Sequence, residues 1–119
     1  MALQLVWSPE AIEDTESIAA YIERDSPWYA HAVASRIVAT AEAIPEFPRM
    51  GRIVPEIEQE DIRERIVYGY RVIYQIEKKR ILIAAIIHGS STRLLQAFVR
   101  RVKGQRTEQS HDRRTDEGP

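Results

Sequence analysis

The feature that most constrains the fold is an uninterrupted apolar run, Ile81 to Ile87, which is followed by His88 and Gly89. The run is far too short to cross a bilayer, which takes about 20 residues. As a strand it would be apolar on both faces, and such a strand lies inside a sheet rather than at its edge. The chain is therefore expected to fold around a sheet in which residues 81–88 form a central strand.

Two alternating segments precede this run. In residues 62–67, two isoleucines and a glutamate share one face and two arginines lie opposite. In residues 70–76, two tyrosines, a valine and an isoleucine share one face, with Arg71 opposite. Tyr68-Gly69 separates the two segments, and residues 77–80 separate the second from the apolar run. The pattern predicts strands joined by tight turns, and hence a mainly antiparallel sheet.

Two helices are predicted before the sheet. Ser8-Pro9 and Ser26-Pro27 each place a capping serine before a proline that suits the first helical turn. Apolar residues then recur at helical spacing, which predicts helices over 8–24 and 27–44 joined as a hairpin. A short strand, residues 3–7, comes first. The predicted class is α+β: an N-terminal strand, an antiparallel helical hairpin packed on one face of a mainly antiparallel sheet, and a short C-terminal helix.

The C-terminal helix is predicted to begin after Ser91 or Thr92, either of which can act as its cap. Its apolar stripe would consist of Leu94, Leu95, Phe98, Val99 and Val102. Residues 104–119 contain no apolar residue and are expected to be a disordered polar tail. The sequence therefore predicts a single domain over residues 1–103 followed by this tail.

The two halves of the chain differ in charge. Residues 1–60 carry 11 acidic and 4 basic side chains, a balance of −7, and residues 61–119 carry 7 acidic and 13 basic, a balance of +6. Such a chain can present a positive face to phosphate or to an acidic partner. It has no cysteine, no signal-peptide pattern and no membrane-spanning run, so a cytoplasmic protein without a membrane partner is expected.

Basic and aromatic side chains of the predicted sheet are the candidate functional residues. Arginine can bind phosphate, tyrosine can stack on a base, and histidine can exchange a proton near neutral pH. Together they could bind RNA, or cleave it by activating a 2′-hydroxyl and stabilising the transition state. The candidates are Arg63, Arg65, Tyr70, Arg71, Tyr74, His88 and Arg93.

Each kind of candidate also has a structural explanation. Tyr70 and Tyr74 can be half-buried strand aromatics with a solvated hydroxyl. Arg71 can be a cross-strand partner of a carboxylate such as Glu64, and His88 can be a hydrogen-bonded residue at a strand end. These structural roles are the commoner ones for such residues, so no single candidate is assigned a catalytic role from the sequence.

No cofactor or metal site is predicted. His31, His88 and His111 are widely separated, and none has a companion at the spacing usual for metal ligands. Glycine-rich phosphate loops and nucleophile elbows are missing from the sequence as well. The usual signatures of small-molecule enzymes are therefore absent.

Short motifs follow one another in a specific order along residues 3–95. They include Trp7 to Ala11, the Ser26-Pro27 turn, Pro48-x-x-Gly51-Arg52, Tyr70-Arg71-Val72-Ile73-Tyr74 and His88-Gly89. This ordered set resembles the RelE/ParE superfamily of toxins from bacterial type II toxin–antitoxin modules. The resemblance implies a compact toxin fold that agrees with the α+β class predicted from the residues.

The resemblance also implies a cognate antitoxin, whose helix and extended segment wrap and neutralise the toxin. The apolar stripes of the helices would form the groove for this partner, or would close the core of the toxin itself. The antitoxin-binding residues predicted in this way are Ile18, Ile22, Val33, Ile37, Leu94, Leu95 and Phe98.

Members of the superfamily differ in target. RelE-like toxins cut messenger RNA on the ribosome with basic residues of the sheet and a proton-transferring residue near the C-terminus, whereas ParE-like toxins inhibit DNA gyrase. Against the RelE pattern, the arginine expected before Gly69-Tyr70-Arg71 falls on Ile66, and no tyrosine follows in the C-terminal helix. Against the ParE pattern, Ser90-Ser91-Thr92 separates His-Gly from Arg93. On balance the sequence favours ParE.

Three functions stay open on the sequence. The first is a ParE-like toxin that inhibits gyrase and replication by binding. The second is a ribosome-dependent mRNA endoribonuclease in which the sheet arginines hold phosphate and a tyrosine or His88 transfers protons. The third is an inactive binding module that keeps the toxin fold and its antitoxin contacts.

Overall fold

The structure is a computed structural model that describes the backbone of residues 3–117 and the side chains of residues 3–104. Two short 3-10 turns, Ile44–Glu46 and Pro48–Met50, lead from the helical hairpin into the sheet. The predicted α+β class is confirmed. The elements are β1 (Gln4–Trp7), α1 (Pro9–Glu23), α2 (Pro27–Ala43), β2 (Arg52–Ile53), β3 (Ile62–Val67), β4 (Tyr70–Ile76), β5 (Arg80–His88) and α3 (Thr92–Glu117).

The five strands form one sheet in the order β1-β5-β4-β3-β2. β1 runs parallel to β5, and the other neighbours are antiparallel. The interior position predicted for the apolar run is confirmed, because β5 pairs on both sides. The register places Tyr70 opposite His88, and Arg71 opposite Ile87. The sheet therefore brings the candidate residues of β4 to the C-terminal end of β5.

The predicted caps start both helices of the hairpin. The Ser8 hydroxyl accepts a hydrogen bond from the Ala11 amide at 3.0 Å and donates one to the Ala84 carbonyl at 3.1 Å. The Ser26 hydroxyl accepts from the Tyr29 amide at 3.1 Å. Ser8 thus caps α1 and also attaches its first turn to β5, which fixes the hairpin against the sheet.

The turn between β3 and β4 consists of Tyr68 and Gly69 alone. Both residues have left-handed backbone angles, with φ of 52° at Tyr68 and 80° at Gly69. A two-residue hairpin turn with two positive φ values matches the twist of its strands, and Asn-Gly is its preferred sequence. Glycine adopts this conformation freely, whereas a tyrosine in it is strained.

Hydrophobic cores form on both faces of the sheet. The first core lies between the sheet and the α1–α2 hairpin and includes Val33, Ile37 and Val72. The second lies beneath α3 and the loop after β2, and includes Val54, Ile73 and Phe98, which are 0%, 0% and 4% exposed. The apolar run of β5 contributes to both cores, which explains why it has no polar face.

The backbone of α3 continues to Glu117, whereas the sequence predicts a disordered tail from residue 104. Residues 105–117 contain no proline, and their glutamines, glutamates and arginines are good helix formers, so the helix can continue past Gly104. The division into a domain over 1–103 and a separate tail stays a prediction. No described helix is both long and apolar enough to span a membrane.

Candidate functional site

The candidate residues lie on both faces of the sheet. Alternation along β4 places Tyr70 and Tyr74 toward the α1–α2 hairpin, where they contact the first core. Arg71 directly follows Tyr70 in the strand and therefore points to the opposite face. Along β3, Glu64 shares the face of Arg71, and Arg65 points away from it. The structure does not assemble the sheet arginines into the single phosphate-binding cluster that the nuclease hypothesis requires.

Arg71 is buried in a network of charged side chains. Its Nε donates to Glu64 Oε1 at 2.5 Å, and its Nη2 donates to Glu56 Oε1 at 2.7 Å. The second oxygen of Glu64 accepts a hydrogen bond from Arg52 Nε at 2.5 Å. The structural explanation of Arg71 as a cross-strand partner of Glu64 is thereby confirmed. Glu56, the second partner of Arg71, lies in the loop between β2 and β3 and was not among the predicted site residues.

This network is electrically balanced. The hydrogen bond from Arg71 holds the pKa of Glu56 below its usual range, and the hydrogen bond to Glu56 raises the pKa of Arg71 in turn. Two guanidinium groups, those of Arg52 and Arg71, face two carboxylates, those of Glu56 and Glu64. An incoming phosphate would have to displace Glu56 before it reached Arg71.

The side chain of Arg63 forms hydrogen bonds with backbone carbonyls. Its Nη1 donates to the carbonyls of Gly51, at 3.0 Å, and Arg49, at 3.2 Å, and its Nε donates to the carbonyl of Glu60 at 2.9 Å. These bonds join the segment before β2 to the loop before β3. Arg63 therefore has a structural role that accounts for its position.

Tyr74 is fully buried and forms hydrogen bonds with the Pro-x-x-Gly-Arg motif. Its hydroxyl donates to the Pro48 carbonyl at 2.5 Å and accepts from the Gly51 amide at 3.2 Å, and burial raises the pKa of the phenol. A Cβ on Gly51 would lie 2.4 Å from that hydroxyl, so only glycine fits. Since Arg52 of the motif also binds Glu64, the motif forms one structural unit with Tyr74 of β4 and Glu64 of β3. The buried Tyr74 is not accessible to RNA.

Tyr70 and His88 form a second group at the end of the sheet. Their rings pack edge to face with centroids 5.1 Å apart, and burial raises the pKa of Tyr70. His88 Nδ1 lies 2.6 Å from the Ser90 hydroxyl and accepts from the Ser90 amide at 3.2 Å. Ser90, one of the three residues that separate His-Gly from Arg93, is therefore a partner of the histidine.

The last two candidates differ from the others because both are unpaired. Within residues 3–104, neither Arg65 nor Arg93 makes a hydrogen bond or an ion pair. Arg93 lies exposed in the first turn of α3. Arg65 lines a cleft of about 270 Å³ between α2 and β3, together with Arg36 and Tyr68.

Comparison with known proteins gives the family. Residues 5–93 match the sequence profile of a protein family, the ParE toxin of type II toxin-antitoxin system, parDE. The chain belongs to this family. It is a toxin of a type II toxin–antitoxin system, and family membership implies a cognate antitoxin as its partner.

Individual relatives bear the names of both branches of the superfamily. Toxin RelE2 of Caulobacter vibrioides is 29% identical over 87 residues, which are 73% of this chain and 96% of that protein. The ParDE system of P. aeruginosa has a chain with a TM-score of 0.61 at 20% identity, covering 73% of this toxin and 96% of that chain. A mutant of E. coli toxin RelE in the free state gives 0.62 at 15% identity, covering 86% and 99%. The two solved structures share the toxin's fold.

The structure divides the predicted antitoxin-binding residues into buried and accessible ones. Val33 and Ile37 are 0% exposed within the toxin's own core, and Phe98 is 4% exposed in the second core. Ile18 and Ile22 are partly buried against the first core. For these five residues the structure supports the explanation that the apolar stripes close the toxin itself.

Leu94 and Leu95 are the accessible members of that set. Leu94 is exposed, and Leu95 lines an open groove of about 490 Å³ between α3 and the sheet. Glu56 and Arg71 lie on the opposite wall of this groove. It thus combines an apolar flank with the balanced charge network.

Proposed function

We propose that this toxin acts by binding, as a ParE-like inhibitor of DNA gyrase and replication, and does not cut RNA. The observation that carries the proposal is the pairing of Arg71, the arginine of the Tyr-Arg-Val-Ile-Tyr motif, with two carboxylates. All three of its guanidinium nitrogens donate to carboxylates, Nε to Glu64 and both Nη atoms to Glu56. The match to the ParE family model supports the same branch.

The positions of the proton-transferring candidates support the proposal as well. General acid–base catalysis needs an acid or base within hydrogen-bond reach of the reacting group that the cation stabilises. Tyr70 and His88 contact each other on the hairpin face of the sheet, and Arg71 lies on the α3 face. A single phosphodiester cannot contact both groups across the sheet.

The alternative is a RelE-like mRNA endoribonuclease. The relative named Toxin RelE2 supports it. In this alternative, Glu56 would leave Arg71 when RNA enters the groove beside α3. Glu56 is placed for such a movement, since its side chain is 40% exposed and its loop carries the strained residue Glu58, with φ of 58°.

Two assays on the purified toxin distinguish these functions. Inhibition of DNA supercoiling by gyrase, with ribosome-bound messages left intact, is the expected result. Cleaved messages with unaffected supercoiling would refute the proposal and favour the nuclease. Activity in neither assay, with normal growth when the toxin is induced alone, would indicate an inactive binding module.

A matched pair of variants makes the test sharper. Glu56→Gln removes the charge that holds Arg71, whereas Glu58→Gln removes a charge from the same loop without touching that arginine. If the toxin acts by binding gyrase, neither change creates message cleavage. Message cleavage by the Glu56→Gln toxin, but not by the Glu58→Gln toxin, would show that the carboxylate of Glu56 restrains a catalytic arginine. That result would overturn the proposal.

We propose further that a segment of the antitoxin occupies the groove beside α3. Its apolar flank includes Leu95 and Val99, and Leu95 is the member of the predicted antitoxin surface that lines it. Leu95→Ser should weaken capture of the antitoxin by tagged toxin, while Ile53→Ser, at an exposed position on the edge strand β2, should not. Equal capture by both variants would place the antitoxin elsewhere.

A further inference from the structure

The cleft between α2 and β3 presents two unpaired arginines. Arg36, Arg65 and Tyr68 line it, and neither arginine makes an ion pair within the described residues. Helix α2 carries a single acidic residue, Glu42, and the face of β3 that bears Arg65 carries none. In contrast to the network around Arg71, this cleft therefore keeps its positive charge for a ligand.

Exposed tyrosines surround one end of the cleft. Tyr68 is 56% exposed and Tyr29 is 43% exposed, and their rings meet edge to face with centroids 6.1 Å apart. Exposed rings beside unpaired guanidinium groups offer both stacking and phosphate contacts in one place.

The backbone at Tyr68 points to a role for its ring. A bulky residue with positive φ is strained, and strain of this kind clusters at functional sites. Asparagine is the preferred residue at this position of a two-residue turn that ends in glycine. The chain therefore keeps an exposed aromatic ring at the tip of the β3–β4 hairpin in place of the residue that folds best there.

We propose that the surface formed by Arg36, Arg65, Tyr29 and Tyr68 binds single-stranded nucleic acid. The arginines would contact successive phosphates, and the tyrosine rings would stack on the bases between them. The contact needs neither gyrase nor the ribosome, so it stands or falls separately from the proposed function. It also lies on the face of the sheet opposite the Arg71 network.

The rings favour nucleic acid over an acidic protein segment. Two arginines alone would suit either ligand, because both are anionic. An acidic segment gains little from exposed rings, whereas every base offers a face for stacking, worth about 1–3 kcal/mol for each base. The combination of charge and exposed rings is thus the observation that selects the ligand.

Fluorescence anisotropy with a labelled oligothymidylate of about 15 nucleotides tests the proposal. Arg36→Gln/Arg65→Gln should weaken binding about tenfold and lower the slope of log affinity against log salt by about 0.7 for each arginine. Lys78→Gln/Lys79→Gln, at the β4–β5 turn, removes the same charge from another surface and should change binding little. Equal losses in the two double variants would overturn the proposal.

Tyr68→Asn tests the ring without endangering the fold. Binding should fall about fivefold or more, since one stacking contact is lost. The thermal midpoint should stay the same or rise, because asparagine suits the left-handed backbone. Loss of binding without loss of stability therefore cannot come from unfolding. Unchanged binding would overturn the proposal, even if the arginine variant proved too unstable to assay.

A labelled polyglutamate of matched length and label is the competing probe. The toxin should bind it more weakly than the oligothymidylate at each salt concentration. Tighter binding of polyglutamate, insensitive to Tyr68→Asn, would assign the surface to an acidic protein partner and overturn the proposal. Because neither probe involves gyrase, failure here leaves the supercoiling test of the proposed function unaffected.

Discussion

The two faces of the sheet use arginine in opposite ways. On the α3 face, Arg71 is 6% exposed and its donors reach Glu64 and Glu56. On the hairpin face, Arg65 shares an open cleft with Arg36, and no carboxylate among the described residues pairs with either. The same residue type thus stabilises the fold on one face and leaves charge for a ligand on the other.

The difference shows that the carboxylates within hydrogen-bonding distance decide whether an arginine stabilises the fold or stays available to a ligand. A buried charge is tolerated only when it is paired and hydrogen-bonded, and the network around Glu64 meets that condition. An arginine at a cleft keeps much of its hydration, so it needs no partner inside the protein. Mutations that affect one face should therefore change stability, and those that affect the other should change binding.

The largest expected effect comes from Glu64. Glu64→Gln leaves Arg71 and Arg52 without their shared anion, and breaking a buried pair costs about 3–5 kcal/mol. Arg65→Gln, on the same strand but the other face, should cost under about 0.5 kcal/mol. Urea unfolding of both variants measures the two losses. Similar losses would contradict the comparison between the faces.

An intermediate effect is expected for the two tyrosines of β4. Tyr74→Phe leaves the Gly51 amide and the Pro48 carbonyl without their partner, which costs about 1–3 kcal/mol. Tyr70→Phe should cost under about 0.5 kcal/mol, because among the described residues its hydroxyl makes no hydrogen bond. The comparison uses the same assay. A Tyr70→Phe loss as large as that of Tyr74→Phe would show that Tyr70 is structural too.

The smallest effect is expected at Glu56 and depends on pH. Since its side chain is 40% exposed, Glu56→Gln should cost no more than about 1 kcal/mol at pH 7. The pKa of Glu56 is lowered in the folded state by Arg71, so its contribution is complete above the unfolded pKa, about 4.3, and disappears as the pH falls through the lower folded value.

Unfolding free energies of wild type and Glu56→Gln, measured from pH 7 to pH 3, follow this contribution. The difference between the two proteins should shrink only below about pH 4.3. A difference that stays constant over the whole range would show that the carboxylate is not paired with Arg71 in solution.

Local features of the chain were predictable. The period of the apolar residues gave both helices and the strands, and the serines before Pro9 and Pro27 gave the helix starts. The pairing of Arg71 with Glu64 was predictable as well, because both residues lie on adjacent alternating strands. In each case the physical cause acts within a few residues or across one hairpin.

The site depended on contacts between distant parts of the chain. Glu56 reaches Arg71 from a loop 15 residues away, and Gly51 meets Tyr74 over 23 residues. Alternation also implied that Arg65 and Arg71 lie on opposite faces of the sheet. Both were nevertheless predicted to bind the same phosphate, because that prediction considered only their residue type. The sequence could not show whether Val33 and Ile37 are buried in the core or bind a partner, because both cases place apolar residues at the same helical spacing.

By itself, the sequence determined the class of the fold, the order of its elements and the toxin superfamily, because periodicity, caps and ordered motifs are written in neighbouring residues. The tertiary structure alone decided which arginines are neutralised and which remain available. That outcome depends on strand register and on a loop that folds over one face of the sheet, and neither is a local property of the chain.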